Sequence, residues 1–159
     1  MTIETGQNLP DATFMTMGED GPEPVSSSDL FAGKRVVLFA VPGAYTPTCS
    51  AKHLPGFTGK ADALKAKGID TIACTSVNDV FVMDAWGKDQ DADGVMMLAD
   101  GNGAFAKEIG LEMDASGFGM GTRSQRYAMV VNDGKLEQLF VEGPGEFKVS
   151  SAEHVLANL

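Results

Sequence analysis

The chain is poor in cysteine, in basic residues and in long apolar runs, and each shortage excludes a class of protein. Its 159 residues contain only two cysteines, Cys49 and Cys74, too few for the disulfide framework of a small secreted scaffold. No CxxC or HxxxH pair is present, so the spacing of a structural zinc site is missing as well. The two thiols are therefore either inert core groups or reactive ones.

Basic residues number 12 against 22 acidic ones, which gives a formal net charge of -10. Such a surface repels phosphate backbones and anionic membrane surfaces, so neither nucleic acid nor a membrane is an expected partner. No apolar stretch approaches the ~20 residues that span a bilayer. Residues 1–10 have neither the basic start nor the apolar core of a signal peptide. We therefore expect a soluble, cytoplasmic protein.

Nucleotide-binding signatures are also missing. Gly117, Gly119 and Gly121 form a GxGxG pattern, but it follows no predicted strand directly and has no acidic ribose-binding residue at the required spacing. No Walker sequence occurs. Residues 116–121 are thus predicted to form a mobile loop and not a phosphate site.

What the chain does contain is an alternation of strand and helix patterns within the length of one domain, residues 1–159. Residues 36–41, VVLFAV, are an unbroken apolar run typical of a strand buried on both faces. Further strands are predicted over 69–76, 95–98, 127–131 and 136–141, and helices over 60–67, 79–86 and 103–109. The order predicts an α/β sandwich whose sheet ends in an antiparallel hairpin at the NDGK turn, residues 132–135. Ser150 and Glu153 form a capping box that predicts a last helix.

Cys49 lies in the segment AVPGAYTPTCSAKHLPGF, residues 40–57, which follows the first buried strand. Open α/β sheets place their sites at this carboxyl edge. Thr46 is predicted to be the N-cap of a helix and Pro47 its first residue, which puts Cys49 in the first turn. Unpaired N–H groups and the helix dipole there favour a thiolate, which is the nucleophilic form of the side chain.

The helix that carries Cys49 is expected to be irregular, and Cys49 itself has an alternative interpretation. Pro55 has no N–H to donate to the carbonyl of Ala51, so the helix is expected to kink. The alternative to a reactive thiol is a buried cysteine that acts as a small apolar side chain. The polar neighbours Thr46, Thr48 and Ser50 disfavour that alternative.

Pro42, Thr46 and Cys49 form the pattern PxxxTxxC, which resembles the peroxidatic signature of peroxiredoxins. The wider segment VPGAYTPTCSAKHLPGF is similar to the peroxiredoxin 5 or type II branch, and the similarity continues in SVNDVFVMDAW (76–86) and RYAMVVNDG (126–134). The resemblance implies a thioredoxin-like three-layer α/β sandwich with a central mixed β-sheet and an N-terminal extension. It also implies a thiol-dependent peroxidase that reduces hydrogen peroxide and alkyl hydroperoxides without metal, haem, flavin or any other cofactor.

The same resemblance implies roles for individual residues. Cys49 would be the peroxidatic nucleophile, which becomes a sulfenic acid. Thr46 would hydrogen-bond the thiolate and one peroxide oxygen, and Pro42 would shield the pocket from water. Arg126 would activate the sulfur and stabilise the charge that develops in the transition state, with help from the backbone N–H groups of Cys49 and Thr48.

Three other basic side chains are predicted to have no catalytic role. Arg123 lies three residues before Arg126, so in an extended segment it would point to the opposite face. His53, four residues after Cys49, is expected to support the pocket without acting as a base. His154 is expected to be an exposed side chain of the last helix.

Cys74 has two interpretations. On the strand 69–76 it faces the same side as Ile72, as a buried core thiol would. The resemblance instead implies a resolving cysteine, because plant-like type II members have one at this place, while residues 146–156 lack the cysteine of animal-type members. A disulfide with Cys49 would require the first helical turn to open, and glutathione or glutaredoxin could instead reduce Cys49 directly. The resemblance implies glutaredoxin, glutathione or thioredoxin as the electron donor, and a homodimer formed through the face near the active site.

Two other function classes stay open at this stage. A flavodoxin-like flavin-binding module would share the parallel sheet, but the loop after the first strand offers prolines and one cysteine where a phosphate site needs several Ser, Thr or Gly donors. A thiol sensor would share the reactive cysteine but would not turn over with a reductant.

Overall fold

The computed structural model describes all residues from 1 to 159, and most of its strands form one mixed sheet. The strands are β1 (Thr13–Gly18), β2 (Gly21–Ser26), β3 (Arg35–Ala40), β4 (Thr71–Ser76), β5 (Met96–Ala99), β6 (Glu112–Asp114), β7 (Thr122–Ser124), β8 (Tyr127–Asn132) and β9 (Lys135–Val141). Seven of them lie in the order β2-β1-β5-β4-β3-β8-β9, while β6 and β7 form a separate hairpin. β3, β4 and β5 are parallel, and the other neighbours in the sheet are antiparallel.

Helices cover both faces of the sheet. They are α1 (Ser27–Phe31), α2 (Leu54–Ala66), α3 (Val80–Asp89), α4 (Ala104–Glu108) and α5 (Ala152–Ala157), and a π-helical turn, Cys49–His53, precedes α2. None of them is long and apolar enough to cross a lipid bilayer.

The side chains of the central strand β3 pack against helix layers on both faces of the sheet. Its residues from Val36 to Ala40 are all 0% exposed, and they alternate between two apolar clusters. Val37 and Phe39 pack in the cluster that contains side chains of α2, α3 and α5, whereas Val36 and Leu38 pack in the cluster that contains side chains of α1 and α4. Each fully buried Val, Leu or Phe side chain contributes about 1.5–3 kcal/mol to folding. The predicted three-layer α/β sandwich with a central mixed sheet is confirmed.

The N-terminal hairpin of β1 and β2 was not predicted from the sequence. β2 reads GPEPVS, and its two prolines argue against a strand in the middle of a sheet. The structure resolves the conflict because β2 is the edge strand, where a missing N–H leaves no neighbour unpaired. β1 joins the hairpin to the sheet through β5.

Three local predictions need correction. The helix predicted over 60–67 begins earlier, since α2 starts at Leu54 and continues from the π-helical turn. The last helix is capped by Ser151, whose hydroxyl accepts from the N–H of His154, and not by Ser150, whose hydroxyl donates to Glu142. His154 is half-buried with its ring edge against Phe140, not fully exposed.

Candidate active site

Cys49 lies just after the end of β3, in the first turn of the helix that leads into α2. The helical residues begin at Pro47, as the sequence predicted, and the turn Cys49–His53 is π-helical. The N–H of Leu54 therefore bonds to the carbonyl of Cys49, five residues back. The expected irregularity at Pro55 takes this form: a widened turn accommodates the residue that has no N–H.

The sulfur of Cys49 has two polar partners. The hydroxyl of Thr46 lies 2.7 Å from Sγ and also 2.7 Å from the carbonyl oxygen of Gly43. Because the hydroxyl has a single proton, it donates to the carbonyl when Cys49 is a thiol and to the sulfur when Cys49 is a thiolate. Nη2 of Arg126 donates to Sγ at 3.1 Å. A hydroxyl and a guanidinium are thus both placed to donate to this sulfur.

A cleft of about 780 Å³ lies next to Cys49, and Thr46 and Arg126, the two residues that contact its sulfur, are part of the lining. Pro42, Thr46, Thr48, Arg126, Phe118 and Glu146 are among the residues that line it. Cys49 itself is 0% exposed, so a substrate must approach the sulfur past these side chains. The cleft is much larger than hydrogen peroxide and offers room for an organic substituent.

His53 contacts the terminal nitrogen of Arg126 that does not bond to the sulfur. Its Nδ1 is 2.9 Å from Nη1 of Arg126, and its Nε2 is 2.9 Å from the carbonyl oxygen of Ser150. Burial and the adjacent Arg126 charge lower the pKa of His53 to about 3, so the ring is neutral at neutral pH.

Arg123, the competing arginine, does not contact the sulfur. It lies in β7, and its guanidinium donates to the carbonyl oxygens of Met120 and Val77. The structure thus brings Thr46, Cys49, His53 and Arg126 together and leaves Arg123 outside.

Cys74 lies in β4, within the sheet, and is not part of the cleft. It is 0% exposed, paired with Phe39 and Met97 of the neighbouring strands, and it shares an apolar cluster with Ile72. Burial raises the pKa of the Cys74 thiol well above its ordinary value. Both cysteines are free thiols.

Three residues near His53 and Arg126 had no predicted site role: Glu142, Phe147 and Ser150, the last of which was predicted only as a helix cap. The Glu142 carboxylate accepts the N–H groups of residues 148, 149 and 150 and the Ser150 hydroxyl. The Phe147 ring lies 5.0 Å from the His53 ring and 5.9 Å from the Arg126 guanidinium carbon. No sequence pattern separates Glu142 from the other acidic residues, because its burial depends on a loop that folds back over it.

Comparison with known proteins agrees with this geometry. A family model described as Redoxin matches residues 4–156. Peroxiredoxin-2D of Arabidopsis thaliana is 50% identical, over 99% of this chain and 98% of the relative, and the chloroplastic Peroxiredoxin-2E of the same plant is 50% identical, over 99% and 70%. The crystal structure of reduced Prx3 in complex with hydrogen peroxide from Vibrio vulnificus is 55% identical, covers 99% of both chains and superposes with a TM-score of 0.96. The chain belongs to the peroxiredoxin family, whose members are thiol-dependent peroxidases of thioredoxin-like fold.

Proposed function

We propose that Cys49 is the peroxidatic nucleophile of this thiol-dependent peroxidase. The observation that carries the proposal is the pair of contacts at its sulfur, from the hydroxyl of Thr46 and the guanidinium of Arg126, beside an open cleft. In the reaction the thiolate attacks one oxygen of ROOH, an S–O bond forms and the O–O bond breaks. Cys49 becomes a sulfenic acid, and the RO⁻ leaving group takes a proton to depart as ROH, or as water when the substrate is hydrogen peroxide.

Thr46 and Arg126 act on the charge that moves during this step. Negative charge leaves the sulfur and grows on the departing oxygen, so donors fixed near both atoms lower the barrier more than they strengthen substrate binding. The contacts of Thr46 and Arg126 with the sulfur support this role. The backbone N–H groups of Thr48 and Cys49, at the start of the helix, are proposed as further donors.

Pro42 and His53 are proposed as supporting residues. Pro42 lines the cleft beside Thr46, where an apolar ring without an N–H limits the access of water to the sulfur. His53 contacts Arg126, and the hydrogen bonds at the sulfur come from Thr46 and Arg126. The substrates we propose are hydrogen peroxide and alkyl hydroperoxides, because the cleft accommodates more than two oxygens.

Two routes can close the cycle. Cys74 can attack the sulfenic acid to form a disulfide with loss of water, or an external thiol can attack it. We propose the external route, with glutathione, glutaredoxin or thioredoxin as donor, and a resolving role for Cys74 only if the turn Cys49–His53 opens. The complete burial of Cys74 and its raised pKa support this order, since a thiolate is needed for the attack.

A homodimer is proposed through the face near the active site. Two exposed aromatic side chains support it: Phe118, which lines the cleft, is 85% exposed, and Tyr45, the residue before Thr46, is 49% exposed. We also propose a cytoplasmic location, because the two unpaired thiols suit a reducing compartment. Sedimentation velocity of the wild type and of Phe118→Ser tests the dimer, and cell fractionation tests the location.

The proposed nucleophile is tested by peroxide consumption with each of the three donors. Wild type and Cys74→Ser should turn over, and Cys49→Ser should not. Peroxidase turnover by Cys49→Ser would contradict the assignment.

A further inference from the structure

A continuous chain of hydrogen bonds runs from the sulfur of Cys49 to a buried carboxylate. Arg126 joins the sulfur to His53, the Ser150 carbonyl accepts on the other side of the His53 ring, and the Ser150 N–H and hydroxyl both donate to Glu142 at 2.7 Å. We infer that His53 is a positioning residue that holds Arg126 against Cys49 as a neutral acceptor, in a tautomer set by Ser150. The inference rests on the proposed function, in which Arg126 acts on the Cys49 sulfur.

The tautomer of His53 follows from its two partners. The Ser150 carbonyl can only accept, so Nε2 must carry the proton. Nδ1 is then a bare lone pair, which accepts from the guanidinium of Arg126. In the opposite tautomer, the Nδ1–H group of His53 would face an N–H group of Arg126, so two donors would meet. The bare Nε2 would face the Ser150 carbonyl oxygen, so two acceptors would meet.

The ring is held in this state by its surroundings. It is 0% exposed, and the rings of Phe39, Phe57 and Phe147 lie 4.9, 5.7 and 5.0 Å from it. The charged groups that act on it are Arg126 on one side and Glu142 on the other. A second proton on the ring would face the Arg126 cation and would break the Nδ1 contact.

A neutral acceptor suits the task of Arg126 better than a carboxylate. Arg126 makes no ion pair, although Glu112, Asp114, Glu142 and Glu146 all line the same cleft. An ion pair with one of them would offset part of the positive charge that the sulfur experiences and would turn the guanidinium away. Bonding to neutral His53 fixes the direction of the guanidinium and leaves its charge for the thiolate.

Glu142 fixes the other end of the chain of bonds. It is 7% exposed, and its carboxylate gathers the backbone N–H groups of Lys148, Val149 and Ser150, so the Ser150 carbonyl is held towards the ring. Burial raises the pKa of Glu142, but the hydrogen bonds from Ser150, Lys148 and Val149 outweigh it, and the pKa lies below its ordinary value. Glu142 is therefore an anion at neutral pH.

The test compares two amide substitutions of His53. In His53→Asn the amide reaches the place of Nδ1, and its oxygen can accept from Arg126. In His53→Gln the amide reaches the place of Nε2, where it can donate to Ser150 but does not replace the acceptor. Both remove the ring, so thermal unfolding of the two variants provides the matched control for stability.

The readouts are the single-turnover rate of Cys49 oxidation by hydrogen peroxide and the pH profile of its alkylation by iodoacetamide. We expect His53→Asn to stay within about 5-fold of the wild-type rate and His53→Gln to lose about 10- to 100-fold, as loss of one hydrogen bond to a charged group predicts. The alkylation profile of His53→Gln should move to higher pH. Equal rates in the two variants, whether both high or both low, would overturn the inference.

Two further measurements make the outcome independent of folding defects. Nitrogen NMR of the wild type at neutral pH should show a neutral His53 protonated at Nε2, and a proton on Nδ1 would overturn the inference. Glu142→Gln as a single substitution should slow oxidation of Cys49. It should cause no further loss when it is added to His53→Asn, because the asparagine oxygen accepts from Arg126 without a carbonyl partner to fix a tautomer. A wild-type Cys49 that reacts no faster than a free thiol would instead remove the proposed function on which all of this rests.

Discussion

Nη2 of Arg126 lies 3.1 Å from the sulfur of Cys49, although the two residues are 77 positions apart in the sequence. The contact exists because β3 and β8 are neighbours in the sheet: Ala40, at the end of β3, pairs with Tyr127, at the start of β8. Cys49 follows one strand and Arg126 precedes the other, so the antiparallel pairing brings both to the same edge. The active-site geometry is thus a direct consequence of strand register.

The guanidinium shape of Arg126 is predicted to matter as well as its charge. Arg126→Lys keeps a cation but cannot contact Cys49 and His53 at once, so we expect the rate of oxidation by hydrogen peroxide to fall about 100-fold. Arg123→Lys is the matched control, because Arg123 bonds only to backbone carbonyls, and it should change the rate less than about 3-fold. Stopped-flow oxidation kinetics of both variants check the prediction. Similar losses in the two variants would contradict it.

The hydroxyl of Thr46 is predicted to act through its hydrogen bond and not through its size. Thr46→Val keeps the shape but removes the donor, and we expect a loss of about 10- to 100-fold in the oxidation rate, since the bond is to a charged sulfur. Thr46→Ser keeps the hydroxyl and should retain most of the rate. Thr48→Val, in the same cleft, is a further control. A Thr46→Val variant as fast as wild type would remove Thr46 from the proposed mechanism.

Cys74→Ser is predicted to sustain turnover with glutathione and glutaredoxin, because Cys74 is fully buried and reaches the sulfenic acid only after local opening. Mass analysis under non-reducing conditions after stoichiometric peroxide should show little disulfide between residues 49 and 74. Loss of turnover in the variant, together with an abundant 49–74 disulfide in the wild type, would make Cys74 the resolving thiol.

Opening of the turn can be followed through the only tryptophan. Trp86 is fully buried, and its indole N–H donates to the hydroxyl of Ser50, the residue after Cys49, at 3.0 Å. We expect tryptophan fluorescence to change little on formation of the sulfenic acid and to shift to longer wavelength if Cys49 pairs with Cys74. Ser50→Ala, which lacks the bond, should weaken that response. A large red shift in Cys74→Ser treated with peroxide would contradict the assignment of the signal to disulfide formation.

The folding stability is predicted to fall as the pH decreases below about 6.5, the ordinary pKa of histidine. The pKa of His53 is lowered to about 3 in the folded protein, so between these values the unfolded chain binds the extra proton and the folded protein does not. The contribution of His53 to the free energy of unfolding is fully present above pH 6.5. Between pH 6.5 and about pH 3 it decreases by about 1.4 kcal/mol per pH unit. At pH 5 the loss is about 2 kcal/mol.

The measurement for this prediction is urea unfolding at several pH values between 5 and 7. His53→Asn is the control, because it removes the titrating ring and should flatten the dependence over that interval. Glu142 contributes in the same direction only at lower pH, since its pKa lies below the ordinary value for glutamate. If the free energy of unfolding varies with pH in the same way for wild type and His53→Asn, His53 is not buried in its neutral form.

Much of this architecture could be predicted from the sequence because the signals are local. The buried run of β3 and the Asn-Asp-Gly-Lys hairpin turn each depend on a few adjacent residues, and each lies where the pattern places it. The segment from Thr46 to Cys49 is equally local, since a helix start at Pro47 and a thiol in the first turn are read from adjacent positions. The Thr46 hydroxyl, predicted to cap this helix, instead bonds to the Gly43 carbonyl and the Cys49 sulfur.

What the sequence could not reveal depends on distant contacts. Glu142 looks like any other acidic residue until the loop 143–150 folds back and gives it four donors. β2 contains two prolines and becomes a strand only because it lies at the edge of the sheet. The capping box of Ser150 was wrong for the same reason: its hydroxyl is already committed to a carboxylate eight residues earlier.

The central proposal is that Thr46 and Arg126, through their contacts with its sulfur, make Cys49 a fast nucleophile towards hydroperoxides. Stopped-flow measurement of the second-order rate constant for Cys49 and hydrogen peroxide at pH 7, in the Cys74→Ser background, tests it most directly. We predict a rate constant about 1,000-fold or more above that of free cysteine, as two preorganised donors imply. A rate constant equal to that of free cysteine would contradict the account.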